Sequence, residues 1–557
     1  MAERNAINMT KTRNFTKSMV IAPIIAIMFV FVLYWFMLPP INPVSINFWV
    51  FIILTAAAFI AAFVIPRNPD LFSEVVVQNK KEGTQYVDFP MIRNKRIKMA
   101  SITVGGLLLI AIILWLMGLP VFNASRYKDL IIRGEGSFTE DIAELSMSQI
   151  PVVDRDTAIQ LGKRKLGEIT DLVSQFEIST DYTQINLKGR PVRVTPLYYA
   201  DFFKWMNNNK KGIPAYIKVD MVTQETYLFQ LENGMKYSPN EYLLRDLTRH
   251  IRFNYPTKLF DAYVFEVDES GTPYWIAPTY YYRIGVWGGR DIEGAVLVNA
   301  IDGSHEWYPI NKIPQWVDRV YRSDLAIQQL NYNGKYQDGF VNSVIGQRGV
   351  LQTTSGYNYI AVNDDVYLYT GMTSVTGDQS NVGFVLVNMR TKETKFYSVP
   401  GAEEVSAMSS AEGQVQHLKY SSTFPLLLNV ADRPTYFMSL KDAAGLVKMY
   451  AFVDVARYQI VGTGTSVADA RTNYVKALTQ EEGVSAGAGT EITGTVAGIV
   501  SAVVDGNTNY YITLTDSDVV YVAPIKTSNR LPFIKEGDSI TLTYSGSDET
   551  REILTIK

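Results

Sequence analysis

Histidine and cysteine are the first residue types to inspect for chemistry, and the 557-residue chain has only three histidines and no cysteine. His250, His305 and His417 are 55 and 112 positions apart, and no His-Glu-x-x-His pattern occurs, so their spacing predicts no metal site. The lack of cysteine excludes disulfides, thiol catalysis and iron–sulfur clusters. A serine–histidine–aspartate triad stays open, although no Gly-x-Ser-x-Gly elbow supports it.

Paired carboxylates are the next pattern, because two carboxyl groups can act as acid and base in glycoside hydrolysis. Adjacent residues of a strand point to opposite faces, so a neighbouring pair is not itself such a dyad. Asp364-Asp365 falls between two predicted strands, 357–362 and 366–369, where a turn is the alternative. The pairs are Asp364-Asp365, Glu403-Glu404 and Glu481-Glu482.

Two loops and one aromatic run are further candidates for a binding site. Residues 376–381 offer oxygen ligands but lack the spacing and closing glutamate of an EF-hand. Residues 285–290 are glycine-rich but precede no helical pattern, which favours a tight turn or β-bulge over a nucleotide loop. The aromatic residues between Tyr274 and Trp287 fit either a sugar or peptide platform or a β core. We therefore predict no catalytic, cofactor-binding or metal-binding residue, and no cofactor.

The N-terminal end must be read as a separate element because it is strongly apolar. No charged residue occurs between Lys17 and Arg67, and the proline-rich turn 38–43 divides this run. About 20 apolar residues span a bilayer. The pattern predicts a transmembrane hairpin over 18–66 and a third transmembrane helix over 99–121.

Basic residues predict the orientation of these segments. They cluster in residues 1–17 and in 67–98, and none lies in the 38–46 turn. By the positive-inside rule both clusters are cytoplasmic, which places residues 122–557 outside. The predicted location is a multi-pass protein of the cell membrane. The cysteine-free exported part fits a Gram-positive bacterium.

Helical periodicity is limited in residues 122–557. One helix is predicted from Asp156 to Phe176. A second is predicted after Ser238, with Pro239 and Glu241 completing a capping-box pattern. A third is predicted after Ser466, with Asp469 at the matching position.

An internal repeat is the most informative sequence feature of residues 122–557. Segments 216–227, 295–306 and 384–395 each have a strand that ends in Val-Asp or Val-Asn, then a turn, then a second strand. The Asp or Asn side chain is expected to accept a hydrogen bond from the backbone two residues on. Val267-Asp268 is a looser copy. The strand 295–298 is apolar, so we expect another module or another copy of the chain to bury it.

These hairpins, preceded by a helix as in 156–220, resemble the PepSY-type module over parts of residues 150–460. That resemblance implies small helix-and-sheet units with a binding or inhibitory role. The first copy lacks the turn glycine, and the second has Asp302-Gly303 in place of Thr-Gly.

The C-terminal end predicts a small barrel behind a flexible linker at 483–489. Five strands are expected in residues 490–557, with a break at 531–535, and this arrangement resembles an OB-fold; an SH3-like barrel is the alternative. The segment has five basic and nine acidic residues, which argues against nucleic acid. Its tyrosines fit a ligand platform or a half-buried sheet surface. The predicted strands are 492–504, 510–515, 519–524, 539–544 and 552–556.

The overall expectation is a membrane-anchored α+β protein with three N-terminal transmembrane helices, β-rich repeated α+β modules over 122–482, and a small OB-like barrel over 490–557. Charged residues are 19% of the chain and the net charge is −3, which gives no nucleic-acid footprint. The predicted role is a non-enzymatic scaffold or binding protein of the cell envelope that self-assembles. Partners would be the membrane, further copies, other envelope proteins or a cell-wall polymer. An envelope hydrolase acting on glycan or peptide, or an accessory subunit of a transport or secretion complex, is the alternative.

Overall fold

The structure is a computed structural model that describes residues 24–59, 75–78, 85–88, 95–144, 149–362, 364–375, 380–482, 490–504, 507–515, 517–545 and 550–557. In these ranges the strands form five sheets and one closed barrel. The predictions for residues 376–379 and 483–489 therefore concern residues outside the described ranges.

The N-terminal part consists of apolar helices and one two-stranded sheet. The first two helices flank the proline-rich turn, and β1 pairs with β2. The elements are α1 (Ile24–Met37), α2 (Ile46–Phe59), β1 (Val75–Gln78), β2 (Gln85–Asp88), α3 (Lys95–Met117) and α4 (Pro120–Lys128).

The prediction of three N-terminal transmembrane helices is wrong. Among the described residues, no single helix is both long enough and apolar enough to cross a membrane. The predicted hairpin counted the length of an uncharged run, but α1 ends at the prolines and α2 has only 14 described residues. The third segment starts with charged residues, and a 47° bend separates its two parts, 108–117 and 120–128. Residues 18–23 and 60–66 lie outside the described residues.

The first large sheet follows a helix that begins at an aspartate cap. Asp154 accepts a hydrogen bond from the backbone N–H of Thr157 at 2.9 Å, which starts α6. The sheet has the strand order β4-β6-β7-β8, with β5 also paired to β6. The elements are β3 (Arg133–Glu135), α5 (Phe138–Asp141), α6 (Arg155–Gly167), α7 (Thr170–Val173), β4 (Phe176–Ile178), β5 (Thr183–Leu187), β6 (Arg190–Tyr199), α8 (Phe202–Asn208), β7 (Ile213–Asp220) and β8 (Thr226–Met235).

The second sheet is a meander with the order β12-β11-β10-β9. Its central hairpin turns at Gly285, whose φ of 58° is left-handed, so the tight turn predicted at 285–290 is confirmed. The strand 295–298 is buried as expected, between two strands of its own chain. The elements are α9 (Leu247–Asn254), β9 (Val264–Val267), β10 (Pro273–Ile284), β11 (Gly288–Asn299) and β12 (His305–Pro309).

The third and fourth sheets complete the body of the molecule. In the third, β13, β15, β16 and β17 are neighbours, and β3 pairs in parallel with β17; in the fourth the order is β19-β21-β22-β23. The elements are α10 (Ser323–Lys335), α11 (Gly339–Val341), β13 (Leu351–Thr353), β14 (Asn358–Val362), β15 (Asp365–Ser374), β16 (Ser380–Asn388), β17 (Thr394–Tyr397), β18 (Gly401–Ala402), α12 (Glu404–Gln414), β19 (Ser421–Ser422), β20 (Leu426–Val430), β21 (Arg433–Lys441), β22 (Val447–Asp454), β23 (Val461–Gly464) and α13 (Val467–Glu482).

The C-terminal strands close into a barrel in the order β24-β25-β26-β28-β27, in which β26 and β28 are parallel. The five predicted strands are all present within a few residues of their expected bounds. A separate apolar core fills the barrel. The strands are β24 (Thr490–Val504), β25 (Asn507–Leu514), β26 (Ser517–Pro524), β27 (Ser539–Ser545) and β28 (Thr550–Ile556).

The repeated hairpins have the turn chemistry that the sequence predicts. Asp220 Oδ1 accepts from the backbone N–H two residues on at 2.9 Å. Asn299 and Asn388 make the same contact at 2.8 and 2.9 Å, and Asp268 does so at 2.9 Å. The turn prediction is confirmed, because this hydrogen bond depends only on residues that are neighbours in the sequence.

Of the three predicted helices, one begins where expected, one is broken into two, and one begins at a different residue. Ser466 caps α13 by accepting from the Asp469 N–H at 3.1 Å, as expected. The predicted 156–176 helix is broken into α6 and α7. The capping box at Ser238 is wrong, since α9 begins at Leu247 behind an Asp246 cap. The Glu241 carboxylate instead accepts from the Trp205 indole at 2.6 Å, a tertiary contact that competes with the local cap.

Candidate functional site

A cleft of about 730 Å³ opens where three sheets meet: the first large sheet (β4–β8), the second sheet (β9–β12) and the third sheet, which contains β13–β17. We call it the cleft; its lining comes from the start of α6, from β5, β6 and β9, and from the segments 319–323 and 357–359. Aromatic rings and four arginines share this lining with three aspartates. Small-molecule sites in proteins are typically concavities of this size with apolar walls and few polar groups.

Arg193 is the most deeply buried charge of the cleft. It lies on β6, and only 6% of the residue is exposed. Its Nη2 donates to the Gln184 side-chain oxygen at 3.2 Å, but its buried Nε has no hydrogen-bond partner among the described residues. Burial lowers the pKa of Arg193 to about 10; Asp154 opposes this effect, and the positive charges of Arg319 and Arg155 add to it. A guanidinium has five N–H donors, so this one keeps free binding capacity.

Arg319 lies beside Arg193 on the segment that follows the second sheet. Its Nη2 donates to the Tyr359 hydroxyl at 2.7 Å, and its guanidinium carbon lies 4.1 Å from the centre of that ring. Its Nε is also buried without a partner among the described residues. Tyr359 thus orients Arg319 without neutralising its charge.

The aspartate whose charge acts on Arg193 is already bound to another cation. Asp154 Oδ2 lies 2.6 Å from the Lys441 ammonium, which comes from β21 of the fourth sheet. Burial alone would raise the pKa of Asp154, but the hydrogen bonds from Lys441 and Thr157 hold it below its ordinary value. Asp154 therefore stays ionised and serves the contact between the α6 cap and the fourth sheet.

Two buried carboxyl groups join the sheets beneath the cleft. Glu266, fully buried on β9, accepts from the backbone N–H groups of Asp318 and Arg319 at 2.9 and 2.8 Å. Asp318 accepts from the N–H of Asn186 on β5 at 2.6 Å. Burial raises the pKa of Glu266 to about 7, and burial and then the charge of Glu266 raise the pKa of Asp318. Neither carboxyl group lines the cleft.

The walls of the cleft are rich in aromatic side chains. Trp275 donates its indole N–H to the Tyr237 carbonyl at 3.0 Å and packs edge-on against Phe265. Gly162 is required behind Tyr182, because a Cβ at that glycine would lie 1.9 Å from the tyrosine hydroxyl oxygen. The aromatic lining residues are Tyr182, Tyr198, Tyr263, Phe265, Trp275, Tyr357, Tyr359 and Phe424.

The structure brings two of the three histidines together. The rings of His250 and His305 are 5.3 Å apart, and His305 Nδ1 lies 3.0 Å from the Tyr255 hydroxyl. Burial and then His250 lower the pKa of His305. Within the described ranges, no cluster of three or more potential metal ligands occurs.

The other singled-out residues lie in structural contacts. Asp364 occupies a left-handed turn position with a φ of 68°, and Asp365 pairs with Arg390 through two hydrogen bonds of 2.8 and 2.9 Å. Of the barrel tyrosines, Tyr521 is buried in the core. From the aromatic run 274–287, the cleft takes Trp275, whereas Trp287 donates to the Val44 carbonyl at 2.8 Å.

Arg193 and Arg319 were missed by sequence reasoning. They are separated by the whole second sheet and share no local motif. One signal was present: Arg193 is a single charge between Val192 and Val194 in a strand that carries apolar residues on both sides. A charge in such a strand must be buried with a partner or at a binding site.

Comparisons with known proteins give no family. No family model matches the chain, and no curated protein matches it. Among solved structures, a levansucrase mutant of B. megaterium matches with a TM-score of 0.17 and 9% identity, over 74% of this chain and 97% of that chain. The dihydro-heme d1 dehydrogenase NirN matches with a TM-score of 0.14 and 9% identity, over 67% of this chain and 52% of that chain. Scores this low carry no argument about function.

Proposed function

We propose that the chain is a non-enzymatic binding protein of the cell envelope, and that its cleft receives a glycan. The observation that carries this proposal is the cleft itself, in which three sheets converge on one aromatic-walled concavity of about 730 Å³. Aromatic faces pack against the C–H faces of sugar rings, while tyrosine hydroxyls and arginines hydrogen-bond the sugar hydroxyls.

Binding is favoured over hydrolysis by the positions of the carboxyl groups. A glycoside hydrolase needs two carboxyl groups on either side of the scissile bond. Here the buried pair Glu266 and Asp318 faces backbone N–H groups, and Asp154 is bound to Lys441. Their hydrogen bonds support a structural role for these three groups. The two other aspartates of the cleft lining are exposed and do not form a buried pair on either side of the cleft.

The test is a binding titration of the purified full chain with soluble cell-wall and plant glycans, in which calorimetry measures the binding. Tyr357 lines the cleft and is 41% exposed, whereas Tyr458 is 40% exposed and lies outside the cleft lining. Tyr357→Ala should weaken glycan binding at least fivefold, and the matched variant Tyr458→Ala should leave it unchanged. Equal effects of the two variants, or no glycan bound at all, would contradict the proposal.

Self-assembly and location are further parts of the proposal. Burial of strand 295–298 within its own sheet removes one reason for assembly, so oligomerisation stays a prediction that light scattering of the full chain checks. The location of residues 122–557 outside the cytoplasm stays a prediction from the basic clusters in residues 1–17 and 67–98. A reporter that is active only outside the cytoplasm, fused after Lys557, should be active.

A further inference from the structure

The two central arginines of the cleft lack an acidic partner. Among the described residues, no carboxylate lies within 4.0 Å of the guanidinium of Arg193 or Arg319. Each of the two also has a buried Nε without a hydrogen-bond acceptor. Desolvating a charge without a partner is unfavourable, so such a group persists where something outside the chain neutralises it.

The other two arginines of the same cleft show the opposite arrangement. Arg155 lies 3.4 Å from Asp181, and Arg322 lies 3.0 Å from Asp324. Both pairs are partly exposed. Positive charge is therefore unpaired at Arg193 and Arg319, which we call the floor of the cleft. It is paired at the more exposed Arg155 and Arg322, which we call its rim.

We propose that Arg193 and Arg319 together bind an oxyanion, a carboxylate or phosphate, carried by an acidic glycan in the cleft. This inference rests on the proposed function, because it names the ligand class of the same site. The two guanidinium groups supply N–H donors that match the geometry of a carboxylate or phosphate.

A glycan is favoured over an acidic peptide by the strand edges around the cleft. Peptides commonly bind by adding a strand to a free sheet edge. The edge strands that line the cleft are β5, β9 and β14, and β5 packs against both of the others. Their backbones are therefore not free along these edges, whereas the aromatic side chains of the walls remain available for sugar rings.

The experiment uses calorimetric titration of the full chain with three probes at constant ionic strength. They are hexagalacturonate, its fully methyl-esterified and therefore uncharged form, and hexaglutamate. The variants are Arg193→Gln and Arg319→Gln, and the matched control is Arg190→Gln on the same strand β6, which removes a charge that lies outside the cleft lining and is already paired with Asp220. Circular dichroism and the thermal midpoint establish that each variant is folded. Because Arg319 contributes its backbone N–H to Glu266 in any variant, Arg319→Gln remains informative if Arg193→Gln does not fold.

Hexagalacturonate should bind at least tenfold more tightly than its methyl ester. Each floor variant should remove at least tenfold of that affinity, and Arg190→Gln should change it less than threefold. Competition by inorganic phosphate, measured against sodium chloride at equal ionic strength, identifies a site that also accepts phosphate; no competition identifies a carboxylate site.

Three results would overturn the inference. If the ester binds as tightly as the acid and the floor variants have no effect, the arginines do not select charge, although the proposed glycan function stands. Tighter binding of hexaglutamate than of hexagalacturonate would replace the glycan by a peptide. If neither the acid nor the ester binds, the proposed function fails together with the inference.

Discussion

Two buried arginines in this molecule have opposite surroundings. Arg471 on α13 is 6% exposed and lies 2.6 Å from Glu144 and 3.0 Å from Glu552 of the barrel. Arg193 in the cleft is equally buried, at 6%, but among the described residues it has one side-chain acceptor and no carboxylate. We call Arg471, Glu144 and Glu552 the barrel junction.

The difference separates a structural charge from a binding charge. At the barrel junction the protein supplies both counter-charges, so the arginine holds α13, the barrel and residue 144 together. A third buried arginine, Arg252, also has a buried Nε without a partner among the described residues, but its Nη1 donates to three backbone carbonyls, the closest at 2.7 Å. In the cleft the protein leaves the neutralisation incomplete, which is the arrangement expected where a ligand completes it.

The largest effect is expected when the barrel junction loses its cation. Arg471→Gln leaves two carboxylates facing each other, and breaking a buried ion pair in this way costs about 3 kcal/mol. We expect amide hydrogen exchange in β28 to accelerate roughly a hundredfold. Burial already raises the pKa of Glu552, and loss of Arg471 should raise it further. A change of less than threefold would show that the junction does not hold the barrel.

A second large effect concerns the pH dependence of the protein's stability, which we attribute to Glu266 beneath the cleft. Glu266 has a folded-state pKa of about 7, above its ordinary value of 4.5, so the folded state favours its protonated form. Its stabilising contribution is complete below pH 4.5 and is lost progressively as the pH rises from 4.5 to about 7. The thermal midpoint should fall across that window and should fall less in Glu266→Gln. Parallel curves for the two proteins would contradict this assignment.

The matched substitution in the cleft should have a much smaller effect on stability. Arg193→Gln removes an unpaired charge and keeps an amide near Gln184, so we expect a change within about 1 kcal/mol. Amide exchange in β6 should therefore change less than about fivefold. A loss as large as that of Arg471→Gln would mean that Arg193 is a structural residue, and the contrast between the two regions would disappear.

The smallest effect is expected from salt. Raising sodium chloride from 50 to 500 mM should weaken hexagalacturonate binding about threefold, because the arginine floor lies in a cleft open to solvent ions. Exchange in β28 should hardly respond, since the junction charges are partly or fully shielded from water. Calorimetry and hydrogen exchange at both salt concentrations measure the two responses. An equal response of both regions would show that burial does not distinguish them.

Sequence reasoning succeeded where the signal is local. The barrel strands and the hairpin turns at Asp220, Asn299 and Asn388 depend on alternation and on side chains two residues from their partners. It failed at Ser238, where the tertiary contact between Glu241 and Trp205 replaces a local cap. It failed at the N-terminus because the length of an uncharged run does not give the length of its helices: α2 has only 14 described residues, and a 47° bend divides the third segment.

The cleft could not be predicted from the sequence, because residues that are distant along the chain form it. Arg193 and Arg319 come together only when the first and second sheets pack against the third, and their significance lies in the partner that they lack. No periodicity or motif encodes such an arrangement. The Glu266 contacts to the 318–319 segment likewise join residues from different parts of the chain.

The most direct test of the central claim is a crystal structure of the full chain with hexagalacturonate bound. We expect one carboxylate of the ligand within 3.2 Å of both arginines of the floor, with the Nε of Arg193 donating to it. The barrel junction should be unchanged in the same crystal. A ligand bound elsewhere, or a ligand in the cleft whose carboxylates all face solvent away from Arg193 and Arg319, would contradict the account.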